Sequence, residues 1–345
     1  MKKKSKVLII GTGGTMSAKL TDNKLECGII TQSEMLNLIS DIKSDFEVDT
    51  TNIFRGDSTG FTLKHWLTLA NTIYYQRNNY DGIVITSGTN TMLYMATAMS
   101  FMLQDMPIPI VFVGSIADPT QKNTDARRLL RESVILAGKS DLAETVVLCN
   151  GKIIRACKAK RINASEYRAF DTSNSKPLGI IEQFIKLTNP YKKKGKKKTK
   201  LFNNLESEVV MLKMHPGFQD KIIKNLIDTG TKGIVLEGYG VGNLPIHPNF
   251  VDAIKYANKK SVPVVVTSDC PTGSFMKKIY AGEIGNRFEN FKIIPLYDML
   301  TTTAQIKLMW VLGQTNKYAE IKKMMQTNYV GEINSEDPNS KIQVI

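Results

Sequence analysis

Two loops rich in hydroxyl groups each follow a short apolar run. Thr12 and Thr15 sit in LIIGTGGTM after KVLII (6–10), and Thr89 sits in TSGTNT (86–91) after DGIVI. A hydroxyl is a weak nucleophile and attacks a carbonyl carbon only when a base or a chain of acceptors takes its proton. Glycines beside it let the backbone bend so that threonine side chains project into a cleft while backbone N–H groups stabilise an oxyanion. A plain strand-to-helix turn is the competing reading of GTGGT. A dinucleotide fingerprint is not, because G-x-G-x-x-G requires a third glycine where Met16 stands.

The elements that must position these loops alternate along the first half of the chain. KVLII (6–10), TNIF (51–54), GIVIT (82–86), IPIVFVG (108–114) and TVVLC (145–149) are short, apolar and bounded by Gly, Asp or Pro, which predicts strands. Residues 62–76, 90–103 and 123–137 between them carry apolar residues at helical spacing. The alternation predicts an α/β protein with a larger N-terminal, doubly wound, mainly parallel sheet. Ligands in such sheets sit beyond the carboxyl ends of the strands, where both threonine loops fall. A smaller C-terminal α/β domain is expected from strands at 208–214, 232–240, 262–268 and 291–295, with helices at 219–230 and 302–313. The boundaries read as 1–190 for the first domain, 191–206 for a lysine-rich linker and 207–345 for the second.

Half of the net charge of +14 lies in the seven lysines of YKKKGKKKTK (191–200). A solvated, self-repelling linker explains such a run, and a localisation signal or phosphate-binding patch is the alternative. It lacks the interleaved aromatics of single-strand recognition. Four scattered cysteines without a CxxC pair and three histidines without ligand spacing give no disulfide or metal signal, and no cofactor is expected. The apolar part of MKKKSKVLIIGTGG is too short for a secretory leader and no run approaches a membrane span, so a cytoplasmic protein is expected.

Taken in order, IIGTGGTM, RGDST (55–59), DGIVITSGTNTM, AKRINASEYRAFDTSNSKPLGII (159–181), LEGYGVGN (236–243) and IKLMWVLGQT (306–315) resemble the asparaginase/glutaminase family over nearly the whole chain. The tail, KLMWVLGQT followed by MMQTNYVGEI (324–333), is similar to the branch formed by the D subunits of archaeal glutamyl-tRNA(Gln) amidotransferase, which carry an additional N-terminal domain. The resemblance implies an amidohydrolase in which Thr12 attacks the side-chain amide of asparagine or glutamine, forms an acyl-enzyme and releases ammonia. Thr89 is then the second hydroxyl of the cleft, with Gly88 beside it. Asp57 and Ser58 match the family's substrate-binding pair, although Asp57-Ser58-Thr59-Gly60 also reads as a turn and helix cap. A homodimer or homotetramer, and tRNA or an amidotransferase partner subunit, are the partners it implies besides the small-molecule amide.

Several positions depart from the family. Ser87-Gly88-Thr89-Asn90-Thr91 stands where relatives have His-Gly-Thr-Asp-Thr, so Asn90 replaces a carboxylate that grips the substrate's ammonium. Anchored on Phe170, the family's lysine position is Arg161. Arginine does not give up its proton at usable pH, so it is no general base. A one-residue shift would present Lys160 instead, against the alternation of strand side chains. Residues 16–30 lack the tyrosine of many relatives, its place being near Leu25, and Thr302 stands where relatives carry a glutamate. The hydroxyls remain and the ionisable groups are gone, which predicts an impaired enzyme or a binding protein on the same fold.

Overall fold

The computed structural model describes residues 3–22, 24–196, 198–273 and 291–334. Two compact units divide the chain, one formed by 1–172 with 176–203 and the other by 173–175 with 204–345.

In the first unit, β1 (Ser5–Gly11), β2 (Phe46–Asn52), β3 (Gly82–Thr86), β4 (Ile110–Val113) and β5 (Thr145–Cys149) run parallel. Apart from β2 these are near-continuous apolar runs because both faces of the sheet are covered, and every residue of β3, β4 and β5 is buried. Among the described residues strand β2 is the edge, bonded to β1 alone, and its sequence FEVDTTN is correspondingly polar. The expected strand TNIF overlaps it only at its start. The amide of Ile53 donates to Gly11 O and the chain then bends away, so the apolar signal there marked the exit of a polar edge strand.

Beyond β5 the sheet turns antiparallel through β6 (Lys152–Arg155), with β7 (Ala159–Arg161) and β8 (Phe170–Thr172) forming a separate two-stranded ribbon, and β9 (Gly179–Ile181) and β10 (Ile185–Leu187) completing the order β10-β9-β6-β5-β4-β3-β1-β2. Helix α1 (Leu63–Gln76) starts at a capping box of Thr62 and His65 and buries Trp66, Leu69, Ala70 and Ile73, one face at helical spacing. Nine of the eleven residues of α2 (Met92–Met102) are buried, whereas α3 (Ala126–Lys139) buries one side, including Leu129, Leu130 and Val134.

Residues 191–203, read from sequence as the start of a linker, pack with the first unit. Lys194 Nζ donates to the carbonyls of Asp81 (2.7 Å) and Ala137 (3.4 Å), and burial pushes its ammonium down from the usual lysine range. Glu144 Oε1 accepts from Lys192 N at 2.7 Å, and the strand Lys200–Leu201 pairs with Leu103–Gln104. Lys197 lies outside the described residues.

The second unit is a four-stranded parallel sheet, β11 (Val209–Lys213), β12 (Gly233–Gly238), β13 (Val264–Ser268) and β14 (Ile293–Pro295), in sequential order. Helices α4 (Lys221–Asp228), α5 (Pro248–Lys259), α6 (Thr301–Leu312) and α7 (Tyr318–Gln326) accompany it. Its core includes Ile223, Ile234, Leu236, Phe250, Ile254 and Val264, and Thr302 lies in the first turn of α6.

Candidate active site

Parallel pairing fixes where the two threonine loops emerge. Gly11 at the end of β1 is in register with Thr86 at the end of β3 and with Asn52 at the end of β2, so three loops leave the sheet side by side at its carboxyl edge. Thr12 is fully buried, and both its N–H and its Oγ1 donate to the carbonyl of Thr86, each at 2.9 Å. That carbonyl orients the hydroxyl; it does not take a proton from it.

Glycine is required where the loops meet. Gly14 has φ +77°, and a Cβ there would lie 2.1 Å from both Cα and N of Gly88. A Cβ at Gly13 would lie 2.2 Å from Gly56 O, and Gly14 N donates to that same carbonyl at 2.8 Å. Gly88 in turn rests on Ser58, whose Oγ would be 2.5 Å from an added Cβ. The loops of Thr12, Ser58 and Thr89 are therefore in close contact, and the third is tied further by Thr91 Oγ1 donating to Ser58 O at 2.9 Å. Gly14→Ala adds overpacking to left-handed backbone strain, and a loss of about 3 kcal/mol in denaturant unfolding is expected.

Of the residues singled out from sequence, Gly88 and Ser58 meet directly, the Gly14 turn of the Thr12 loop packs on Gly88, and Ser58 and Thr89 are buried. Thr89 lies against the backbone of Gly114, whose added Cβ would be 3.1 Å from Thr89 Cγ2. Arg161 and Asn90 meet directly, Nη1 donating to Asn90 Oδ1 at 3.1 Å. Arg161 Nε donates to Asn163 O at 3.2 Å and Nη2 to Ala164 O at 2.8 Å. Its strand partner is Phe170, and Lys160 is paired with Asp171 on the alternate position of the ribbon. Lys158 is fully buried.

Asp57 performs the local role. Its Oδ1 accepts from Thr59 N (2.7 Å) and Thr59 Oγ1 (2.6 Å), capping the short turn Ser58–Gly60. The Thr59 hydroxyl, then its N–H, hold the carboxyl below the usual aspartate range. Burial and the negative Asp57 push the Cys27 thiol up, so no thiolate nucleophile stands there near neutral pH. Sequence reasoning missed Gly56 and the carbonyls of Thr86, Asn163 and Ala164. Gly56, at φ +147°, had a signal in the glycine of RGDST; backbone carbonyls carry none. Leu25 lies in a small exposed hairpin, Lys19–Thr21 with Lys24–Glu26. Among the described residues no group of three His, Cys, Asp or Glu is arranged to hold a metal ion, and no helix is long and apolar enough to cross a membrane.

The family pattern described as "Asparaginase, N-terminal" matches residues 6–193, and "Glutaminase/Asparaginase C-terminal domain" matches 208–325. The chain belongs to the asparaginase/glutaminase family. It is 33% identical to the D subunit of glutamyl-tRNA(Gln) amidotransferase from Pyrococcus horikoshii over 95% of this chain and 76% of that protein. It is 30% identical to the L-asparaginase of Thermococcus kodakarensis over 95% of this chain and 99% of the other. The solved structure of the thermostable L-asparaginase from Thermococcus kodakarensis superposes with a TM-score of 0.88 at 29% identity, covering 96% of this chain and all of that one. That of L-asparaginase I from Vibrio cholerae gives 0.85 at 26% identity with the same coverage. The asparaginase-type α/β fold expected from the sequence, a large mainly parallel sheet with a smaller C-terminal domain, is thus borne out.

Proposed function

We propose that the protein is an L-asparaginase-like amidohydrolase that converts asparagine or glutamine to the acid and ammonia, slowed by its substituted ionisable positions. The stacking of the Gly14 loop on Gly88, with the Thr12 hydroxyl already oriented, is the observation that carries this reading. Thr12 Oγ attacks the amide carbonyl carbon while loop N–H groups stabilise the oxyanion. Collapse of the tetrahedral adduct breaks the C–N bond, the proton of the Thr12 hydroxyl leaving with the nitrogen as ammonia, and water then cleaves the acyl ester and returns a proton to Thr12. The Ser58 hydroxyl and nearby backbone N–H groups take the substrate's α-carboxylate, and Asp57 caps the turn that holds Ser58. Thr89 is the second hydroxyl. What the substitutions take away is a proton acceptor, since Arg161 occupies the position of the titratable amine, and loss of a general base forfeits ~10²–10⁴ in rate.

Two further readings each have an observation in favour. A ligand-binding protein without turnover fits the Arg161–Asn90 contact, which joins a guanidinium and a carboxamide at the positions the resemblance gives to a proton-moving amine and an ammonium-gripping acid. A component of a tRNA-dependent amidotransferase fits the similarity to the Pyrococcus horikoshii amidotransferase chain, with the exposed Lys193, Lys196, Lys198 and Lys200 as the surface for nucleic acid. A cytoplasmic homodimer or homotetramer is proposed by analogy with relatives. Ammonia release from asparagine and glutamine by the unaltered chain and by Thr12→Ala tests the primary reading. A slow but saturable rate that falls to background in Thr12→Ala is expected, and equal rates in the two proteins contradict it.

A further inference from the structure

The rim beside Thr89 is rich in donors. Arg161 is fixed by three acceptors, Asn90 Oδ1, Asn163 O and Ala164 O, and all three are neutral. A guanidinium carries five N–H groups, so among the described residues these bonds leave two unused, and no carboxylate offsets the positive charge in these contacts. Asn90 has its oxygen committed to Arg161, which leaves its amide N–H groups as the part it can offer from its exposed position. An ammonium carries donors only and meets like charge and further donors here. An oxygen acceptor meets complementary groups, and a carboxylate meets the planar fork that binds it best. Asp57, the carboxylate of the adjoining Ser58 loop, already receives the N–H and hydroxyl of Thr59 on one oxygen.

We infer that the site selects monoamides of dicarboxylic acids that carry an oxygen acceptor, a hydroxyl, carbonyl or carboxylate, where an α-amino acid carries its ammonium. The inference rests on the amidohydrolase reading and names its substrate class.

The test compares kcat/KM for ammonia release from 2-hydroxysuccinamate amidated at C4, from succinamate and from L-asparagine. The hydroxy acid amide is expected to exceed L-asparagine by at least about tenfold, the difference between one charge-assisted bond and one repelled cation, with succinamate between them. Asn90→Asp is expected to reverse the order by a similar factor. A preference for L-asparagine in the unaltered protein overturns the inference, as does a ranking that Asn90→Asp leaves unmoved. If asparagine is preferred and Asp57→Asn removes that preference, the ammonium sits on Asp57 and the inference is wrong. Absence of ammonia from all three amides defeats the amidohydrolase reading by itself. Calorimetric titration of the unaltered protein with the same compounds then still decides selectivity, tighter binding of the hydroxy acid amide supporting it and tighter binding of L-asparagine overturning it.

Discussion

Glu332→Ala is expected to destabilise the protein by about 3–5 kcal/mol, read as an earlier midpoint in denaturant unfolding, because it strands a charge. Lys307 on α6 and Glu332 are both fully buried, with Nζ 2.6 Å from Oε1. Lys307 also donates to Thr327 O at 2.6 Å, and its ammonium lies 5.3 Å from the centroid of Tyr329, which packs edge-on against Trp310 at 5.0 Å. Glu332 accepts from Tyr329 N at 3.1 Å and from Val330 N at 2.8 Å, closing the turn after α7. Alanine removes the carboxylate and leaves the buried ammonium with Thr327 O and the Tyr329 ring but without this counter-charge. Changing both partners, Lys307→Met with Glu332→Leu, is expected to cost much less than Glu332→Ala alone, since no uncompensated charge remains. Equal losses in the single and double variants contradict this account.

Asn90→Asp together with Arg161→Lys is expected to raise ammonia release from L-asparagine by ~10²–10⁴, the range a positioned general base contributes. The first change adds an anionic acceptor for the substrate's ammonium. The second replaces a guanidinium that keeps its proton with an amine able to exchange one. The two side chains are in contact, so their effects are expected to be non-additive. Arg161→Lys alone gives up the planar fork that reaches Asn90, Asn163 and Ala164 and gains little without the carboxylate. Steady-state kinetics of both single variants and the double variant measure the coupling. No gain in the double variant places the obstacle elsewhere in the cleft.

Legibility followed the physics of each element. GIVIT and TVVLC were readable as strands because both faces are buried and nearly every residue is apolar, and the strands observed are Gly82–Thr86 and Thr145–Cys149. FEVDTTN was not, because an edge strand with one partner needs no apolar run. The short antiparallel strands Gly179–Ile181 and Ile185–Leu187 are held by pairing with one another and with Lys152–Arg155, and three residues carry too little periodicity to announce them. Lysine composition pointed to a solvated linker, yet the carbonyls of Asp81 and Ala137 capture Lys194, a contact no local pattern encodes. In the site, glycine spacing foretold tight loops, while the partners of those glycines, Gly56 and Gly88, emerge only from the register of three parallel strands. The tail segments KLMW and YVGEI were recognisable together, and the buried Lys307–Glu332 pair and the Trp310–Tyr329 ring contact join them.

The most direct measurement is the pH dependence of kcat/KM for ammonia release by the unaltered chain, taken in parallel with Lys160→Met. With Arg161, a guanidinium, at the position the resemblance gives to the proton-moving amine, kcat/KM is expected to show no rise through a lysine's titration range, and Lys160→Met is expected to leave the profile unchanged. A lysine-type limb in the unaltered protein that vanishes in Lys160→Met contradicts the account, because an amine would then serve Thr12 after all.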